Sequence, residues 1–313
     1  MPVIDNPQPL FRDLFSPEAV AARDGRPAAG MFLCNGDQNT AEICAGAGLD
    51  YLLIDAEHTA LSLEDVVGQL RVIAGYRVPT MVRVPANDPV LIKQFLDLGA
   101  QTLLVPMVDD AEQAAAAVAA ARYPGGCAAG AAAGQGASTS SGQRRAGVRG
   151  VGSALARSGR WNRTTGYLAD ADAHVSVIVQ IESETAVGHA RAIAETDGVD
   201  GVFIGPSDLS ATMGLLGQQS HPEVVAAVKH VITEAQAAGT IVGVNAFARD
   251  QAQDYVEAGA DYVNVGADVA LLARATEALA DTWCPASAAG AGDAGGETGR
   301  GRPGDAGGER ASY

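Results

Sequence analysis

The chain has 313 residues, 47% hydrophobic and 19% charged, with 37 acidic against 21 basic side chains and a formal net charge of −16. A polyanion of this kind is repelled by nucleic-acid phosphates and anionic membrane surfaces, and no apolar run approaches the ~20 residues that span a bilayer. The first residues carry acids and prolines rather than a basic-then-apolar signal, and the four cysteines (Cys34, Cys44, Cys127, Cys284) lack CxxC spacing, so the expectation is a soluble cytoplasmic protein without zinc ribbon or disulfide scaffold.

In chain order, short β-branched and aliphatic runs predict strands at 30–34, 51–55, 80–84, 102–107, 175–181, 201–204, 241–244 and 262–265. They are apolar throughout and bounded by Gly, Pro or Asp, the pattern of strands buried on both faces of a parallel sheet. Helical periodicity fills the gaps at 63–74, 89–98, 111–122, 184–195, 222–238 and 250–258, and several of these segments end at a glycine (Gly75, Gly99, Gly239, Gly259). Eight strands alternating with helices over this length predict a (β/α)8 TIM barrel rather than an open doubly wound sheet.

Two stretches interrupt the rhythm. Residues 124–147 contain no Val, Leu, Ile, Met or aromatic side chain, and residues 285–313 are rich in Gly and Ala. Neither offers enough apolar surface to offset the entropy of ordering it. The expectation is one domain over 7–284, interrupted by a low-complexity insertion at about 125–147 and followed by a disordered tail at 285–313.

Catalytic groups of a parallel barrel sit at the C-terminal ends of its strands. After the second strand comes Asp55-Ala56-Glu57-His58, the third ends at Arg83, the fifth at Gln180-Ile181-Glu182, and the sixth runs into Gly205-Pro206-Ser207-Asp208. Taken singly, an acid at a strand end is more often a helix N-cap and a lone histidine a satisfied one. Their coincidence at one rim points to chemistry. Glu182 and Asp208, on adjacent strands, form a hard oxygen pair suited to Mg²⁺ or Mn²⁺. Arg83 at the end of an apolar strand needs a carboxylate or an anionic ligand. His58 could act as a general base, with Asp97, Asp55 or Glu57 as its acid partner. The only lysines, Lys93 and Lys229, fall inside helices, which disfavours a Schiff-base mechanism. No GxxxxGK[ST], GxGxxG or GxSxG motif stands where nucleotide or esterase chemistry would need it.

The segments LLIDAEH (52–58), VPTMVRVPANDP (78–89), IKQFLDLGAQTLLVPMV (92–108), RGVGSALARSGRWNR (149–163), VQIESETAV (179–187) and GVDGVFIGPSDLSATMG (198–214) resemble the HpcH/HpaI class II aldolases. The resemblance runs from Gly30 to Trp283. It implies a phosphoenolpyruvate/pyruvate-type TIM barrel, assembled as a homohexamer and using a divalent metal (Mg²⁺, Mn²⁺ or Co²⁺) but no nucleotide. The implied reaction cleaves a 4-hydroxy-2-oxo acid, such as 4-hydroxy-2-oxoheptanedioate, to pyruvate and an aldehyde such as succinate semialdehyde, in aromatic-compound catabolism.

Residue by residue, the resemblance makes Glu182 and Asp208 metal ligands, His58 the base, Arg83 the stabiliser of the enolate and Asp97 the group that raises the basicity of His58. Gln180 and Ser207 match substrate-contacting positions. Phe32 stands where close relatives carry a tryptophan, so the aldehyde end is expected to be held differently. The family runs almost directly from a Tyr-Pro pair to Gly-x-Arg-Gly, whereas the insertion here separates Tyr123-Pro124 from Gly147-Val148-Arg149-Gly150. It is either a harmless loop or a displacement of the 149–163 segment. Competing readings are a 2-keto-3-deoxy sugar-acid aldolase of glucarate or rhamnonate type, a citrate-lyase-like acyl-CoA enzyme, disfavoured because the rim lacks a basic cluster, and a catalytically disabled barrel scaffold.

Overall fold

The computed structural model describes residues 9–125 and 147–284; the predicted low-complexity insertion, but for its edges, and the predicted tail lie outside the described residues. The elements run α1 (Pro17–Ala22), β1 (Ala28–Leu33), α2 (Gln38–Ala45), β2 (Tyr51–Asp55), α3 (Leu63–Ile73), β3 (Thr80–Arg83), α4 (Pro89–Asp97), β4 (Thr102–Val105), α5 (Ala111–Ala121), α6 (Tyr167–Asp170), β5 (Ser176–Ile181), α7 (Glu184–Gly188), α8 (Ala190–Ala194), β6 (Gly201–Ile204), α9 (Pro206–Thr212), α10 (Pro222–Ala237), β7 (Ile241–Asn245), α11 (Arg249–Glu257), β8 (Tyr262–Ala267) and α12 (Asp268–Trp283). All eight strands are parallel and close in sequence order into a barrel, the predicted TIM-barrel fold.

Strand alternation divides the core in two. Leu52, Ile54, Val82, Leu103, Val105, Val177, Val179 and Ile181 point outward into the layer between strands and helices. Tyr51, Leu53, Met81, Leu104, Ile178, Phe203 and Tyr262 point into the barrel. Following the inward parity upward brings Asp55, Arg83, Gln180 and Asn245 to the C-terminal mouth, which is how a period of two delivers polar groups to one end.

The N-terminal end is plugged. Phe11, on a 3₁₀ turn at Phe11–Phe15, packs edge-on against Tyr51 and Tyr262 at centroid distances of 5.1 and 5.0 Å. These rings need space from their neighbours: a Cβ at Gly30 would lie 2.4 Å from the Tyr51 ring, and one at Gly243 would lie 2.3 Å from that of Tyr262. Tyr262 donates its hydroxyl to the Val202 carbonyl at 2.9 Å.

Aspartates and serines take the capping role. Asp37, Ser62, Asp88, Asp110 and Ser183 each accept backbone N–H bonds at helix starts. The helix predicted over 184–195 is two short helices broken at His189, whose φ of −110° and ψ of 7° leave the helical region just after Gly188. The segment after the insertion is pinned to the one before it, because Val148 N donates to Ala119 O and Arg149 N to Arg122 O. Among the described residues no helix is long and apolar enough to cross a membrane.

Candidate functional site

A cavity of about 520 Å³ opens at the C-terminal ends of the strands. Phe32, Cys34, Asp55, His58, Arg83, Gln180, Ser207 and Asp208 line it, with Gln219, Asn245 and Phe247.

Arg83 is the organising cation. Its Cα neighbour across the sheet is Asp55, and the register of β2 on β3 turns that adjacency into a two-pronged ion pair, Nε to Oδ1 at 2.9 Å and Nη2 to Oδ2 at 2.7 Å. Nη1 lies 3.1 Å from Oε2 of Glu57, and the guanidinium stacks over the Phe32 ring at 5.0 Å. Burial works against its charge, yet Asp55, Glu57 and Glu182 together hold its pKa above the usual arginine value.

Glu182 follows β5 with the inward parity of Ile178 and Gln180. Its Oε1 accepts from Met107 N at 2.8 Å, and its Oε2 accepts from the Gln180 amide. Burial pushes its pKa up to about 8, the Met107 bond opposes this, and the charges of Asp208 and Glu57 add to it. Asp208 lies in the first turn of α9 but does not cap it: the N-cap is Gly205, with no side-chain cap bond. Its carboxylate faces the cavity. Gly205 leaves room for Gln180 and Glu182, since a Cβ there would meet Gln180 Nε2 and Glu182 Oε2, both at 2.8 Å.

Asp55, Glu57 and Glu182 thus surround one arginine and Asp208 stands close by on the same cavity, an excess of negative charge partly withdrawn from water. Carboxylates in this state are relieved by a proton or by a cation. Among the described residues no group of three or more His, Cys, Asp or Glu side chains comes together as a metal site. Two carboxylates suit a hard divalent ion that completes its shell with water and ligand oxygens, and the residues present fit such an ion.

Six of the seven predicted catalytic, substrate and metal residues converge here. His58 stands on the loop after β2, 62% exposed at its side chain, with Nε2 3.7 Å from Glu57 Oε2. Ser207 lines the cavity, and its hydroxyl donates to Oε1 of Gln219, another lining residue, at 2.8 Å. Asp97 is the exception. As the last residue of α4 it has travelled back from the rim, and its Oδ1 accepts from Nη2 of buried Arg149 at 3.2 Å. No ion pair or hydrogen bond joins it to His58; within the protomer, the acid facing the imidazole is Glu57.

The strand reading left Asp55 and Glu57 as alternatives only, and did not select Asn245, Phe247 or Gln219. Inward parity from Tyr51 and Leu53 would have marked Asp55. Cys34 lines the cavity as a thiol whose pKa burial pushes up to about 12, which keeps it protonated. Lys229 pairs with Asp254 at 2.6 Å, and Lys93 lies on α4 against Gly150; neither lines the cavity.

Residues 28–275 match the family model described as HpcH/HpaI aldolase/citrate lyase. A 4-hydroxy-2-oxo-heptane-1,7-dioate aldolase of Salmonella dublin is 47% identical over 260 residues, covering 83% of this chain and 91% of that one. The crystal structure of an HpcH/HpaI aldolase/citrate lyase family protein from Burkholderia cenocepacia superposes with a TM-score of 0.73 at 39% identity, covering 83% of this chain and 96% of that one. An HpcH/HpaI aldolase from Desulfitobacterium hafniense superposes at 0.72 with 26% identity, covering 89% and 98%.

Proposed function

Because the chain belongs to the HpcH/HpaI aldolase/citrate lyase family, a family of lyases, we propose that it is a metal-dependent class II pyruvate aldolase. Its substrate in this reading is a 4-hydroxy-2-oxo acid, with 4-hydroxy-2-oxoheptanedioate as the first candidate, cleaved reversibly to pyruvate and succinate semialdehyde. The observation that carries it is the convergence of Arg83, His58 and Asp208 on one cavity at the strands' C-terminal ends, with Glu182 directly beside its lining residues Gln180 and Gly205.

Glu182 and Asp208 would hold a divalent cation (Mg²⁺, Mn²⁺ or Co²⁺), which supplies Lewis-acid polarisation of a 2-oxo acid's carboxylate and ketone oxygens when bound. The residues of the chain do the rest. His58, through a water, takes the proton of the C4 hydroxyl as the C3–C4 bond breaks. The electron pair of that bond becomes the enolate, whose oxygen charge Arg83 meets with N–H groups already fixed by Asp55. Return of a proton to C3 gives pyruvate. Of the residues that line the cavity, Gln180 would contact the oxo acid, and Phe32, Phe247 and Asn245 would be left for the aldehyde.

The proposal extends to a cytoplasmic homohexamer acting in aromatic-compound catabolism, built from one barrel domain over 7–284. An oligomer would cover Val269, Leu271, Leu272, Leu279 and Trp283, which α12 exposes. The role that the family resemblance gives Asp97 belongs to that assembly, because within one protomer Asp97 is held by Arg149. Pyruvate release from 4-hydroxy-2-oxoheptanedioate, coupled to lactate dehydrogenase, tests the reading. Activity that requires Mg²⁺, Mn²⁺ or Co²⁺ and disappears in EDTA and in Glu182→Gln is expected. A folded, metal-binding protein that releases no pyruvate from any 4-hydroxy-2-oxo acid would sink it in favour of a disabled scaffold.

A further inference from the structure

We infer, resting on the aldolase reading above, that Asn245 is a specificity-determining residue. Its side-chain amide hydrogen-bonds an oxygen, hydroxyl or carboxylate, at the far end of the aldehyde half of the substrate. Charge is divided unevenly around the mouth of the barrel. Asp55 and Arg83 line the cavity from β2 and β3, His58 from the turn after β2, and Asp208 from α9. The arc formed by β7, β8, β1 and the start of α12 lines it with uncharged residues, Phe32, Asn245 and Phe247 foremost. That arc suits the half of the substrate on which no charge develops.

Two amides stand together on this arc. Asn264 on β8 has the inward parity of Tyr262, and its Cα partners are Asn245 on β7 and Gly30 on β1. It is fully buried, where an amide is costly unless its groups are bonded. Its Nδ2 donates to Asn245 Oδ1 at 3.4 Å, while its Oδ1 has no partner among the described residues. Gly30 has no side chain with which to supply one. Asn245 is thus held by one edge of its planar amide. Oδ1 is turned to Asn264, and Nδ2, on the opposite edge, has no partner among the described residues and belongs to a side chain on the cavity wall. Close by on the same wall, Phe32 and Phe247 meet edge to face at 6.4 Å and leave hydrogen bonding to the amide. Turning both amides over leaves the count unchanged, with Asn245 then offering an acceptor. A substrate hydroxyl satisfies either arrangement, and a carboxylate satisfies the first.

Three 2-oxo acids of equal chain length test this. Each lacks the C4 hydroxyl and so cannot be cleaved: 2-oxoheptanedioate ends in a carboxylate, 7-hydroxy-2-oxoheptanoate in a hydroxyl and 2-oxoheptanoate in a methyl group. Their dissociation constants are measured by calorimetry on the full chain with saturating Mg²⁺ or Mn²⁺. The wild type should bind at least one of the two oxygen-ended acids about tenfold more tightly than 2-oxoheptanoate. Preference for the hydroxyl-ended acid would assign a hydroxyaldehyde to the site, and preference for the diacid a semialdehyde. Asn245→Leu should erase the preference while binding 2-oxoheptanoate at least as well as the wild type does. Asn264→Ala, which frees the Asn245 amide to turn, should weaken the preference by less. If Asn245→Leu does not fold, Asn245→Ala takes its place. A wild type that binds all three alike, or a preference that persists in Asn245→Leu, would overturn the proposal and leave the aldolase reading standing. Binding of none of the three would overturn both.

Discussion

Arg83 and Arg122 are both buried, at opposite ends of the barrel, and their partners differ in kind. At the N-terminal end, Arg122 donates from Nη1 to the carbonyl of Val175 at 3.1 Å and to that of Asp172 at 3.4 Å. Its Nη2 faces Asp200, which also accepts from Val177 N and pairs with Arg12. That network serves the backbone: it ties the end of α5 and the N-terminal turn to the starts of β5 and β6. At the C-terminal end the ionic partners of Arg83 are the carboxylates of Asp55 and Glu57, and it opens onto a cavity. A cation matched to carbonyls and balanced acids is satisfied by the fold. A cation ringed by surplus acids leaves negative charge that a ligand has to answer, and that surplus marks the functional end.

The largest expected effects separate the two arginines. Arg83→Ala should lower kcat for pyruvate release by about 10²–10³, the cost of losing an oxyanion-stabilising donor, and should also lower the thermal midpoint because buried Asp55 loses its partner. Arg122→Ala should cost stability alone, about 3–5 kcal/mol for breaking a buried network of carbonyls and acids, while kcat per folded protein is kept. Denaturant melts and steady-state kinetics on both variants check the contrast, and equal effects of both on kcat would break it.

Next comes Glu182. Its pKa of about 8 in the fold stands above that of an unfolded glutamate, so between those values the metal-free folded state holds a proton that the unfolded state has released. Metal-free stability from this group is therefore full at acid pH and is lost as pH rises toward 8. Thermal melts in EDTA from pH 5 to 8.5 should show a decline that Glu182→Gln flattens, and added Mg²⁺ or Mn²⁺ should stabilise the wild type most at the alkaline end. A wild-type curve parallel to that of the variant would remove the charge surplus from the comparison.

Smaller effects follow at the edges of the two regions. Phe32→Trp enlarges the ring over Arg83 on the aldehyde side and should change the ratio of kcat/KM between short and long aldehydes by about tenfold or less. Deleting residues 126–145 should leave kcat within about twofold and oligomer size unchanged, because the flanking residues are already joined by backbone hydrogen bonds at the N-terminal end and loop closure costs vary slowly with length. Loss of activity or of the oligomer on deletion would give the insertion a functional part.

Much of this was legible along the chain. All eight strands lie where the apolar runs put them, within a residue or two at their ends, because a strand buried on both faces writes itself as a short continuous apolar segment. The rim residues were legible too, since each directly follows a strand. Less visible were α12, whose exposed apolar face gives no amphipathic contrast against its own barrel, and the break at His189. The bond from the Ser207 hydroxyl to Gln219, twelve residues away, was equally invisible in the sequence.

By itself the sequence determined which residues point inward and which end of each strand carries polar groups, because alternation is local and a period of two needs no knowledge of the partner strand. It left His58 with three candidate acids, Asp55, Glu57 and Asp97. Only the tertiary structure decided which cation each of them meets within the protomer, through the register of β2 on β3 that gives Asp55 to Arg83, the turn that brings Glu57 beside Arg83, and the return of α4 that gives Asp97 to Arg149. The physical reason is range: which acid neutralises which cation depends on separations of a few ångströms between segments tens of residues apart, and those distances exist only once the barrel has closed.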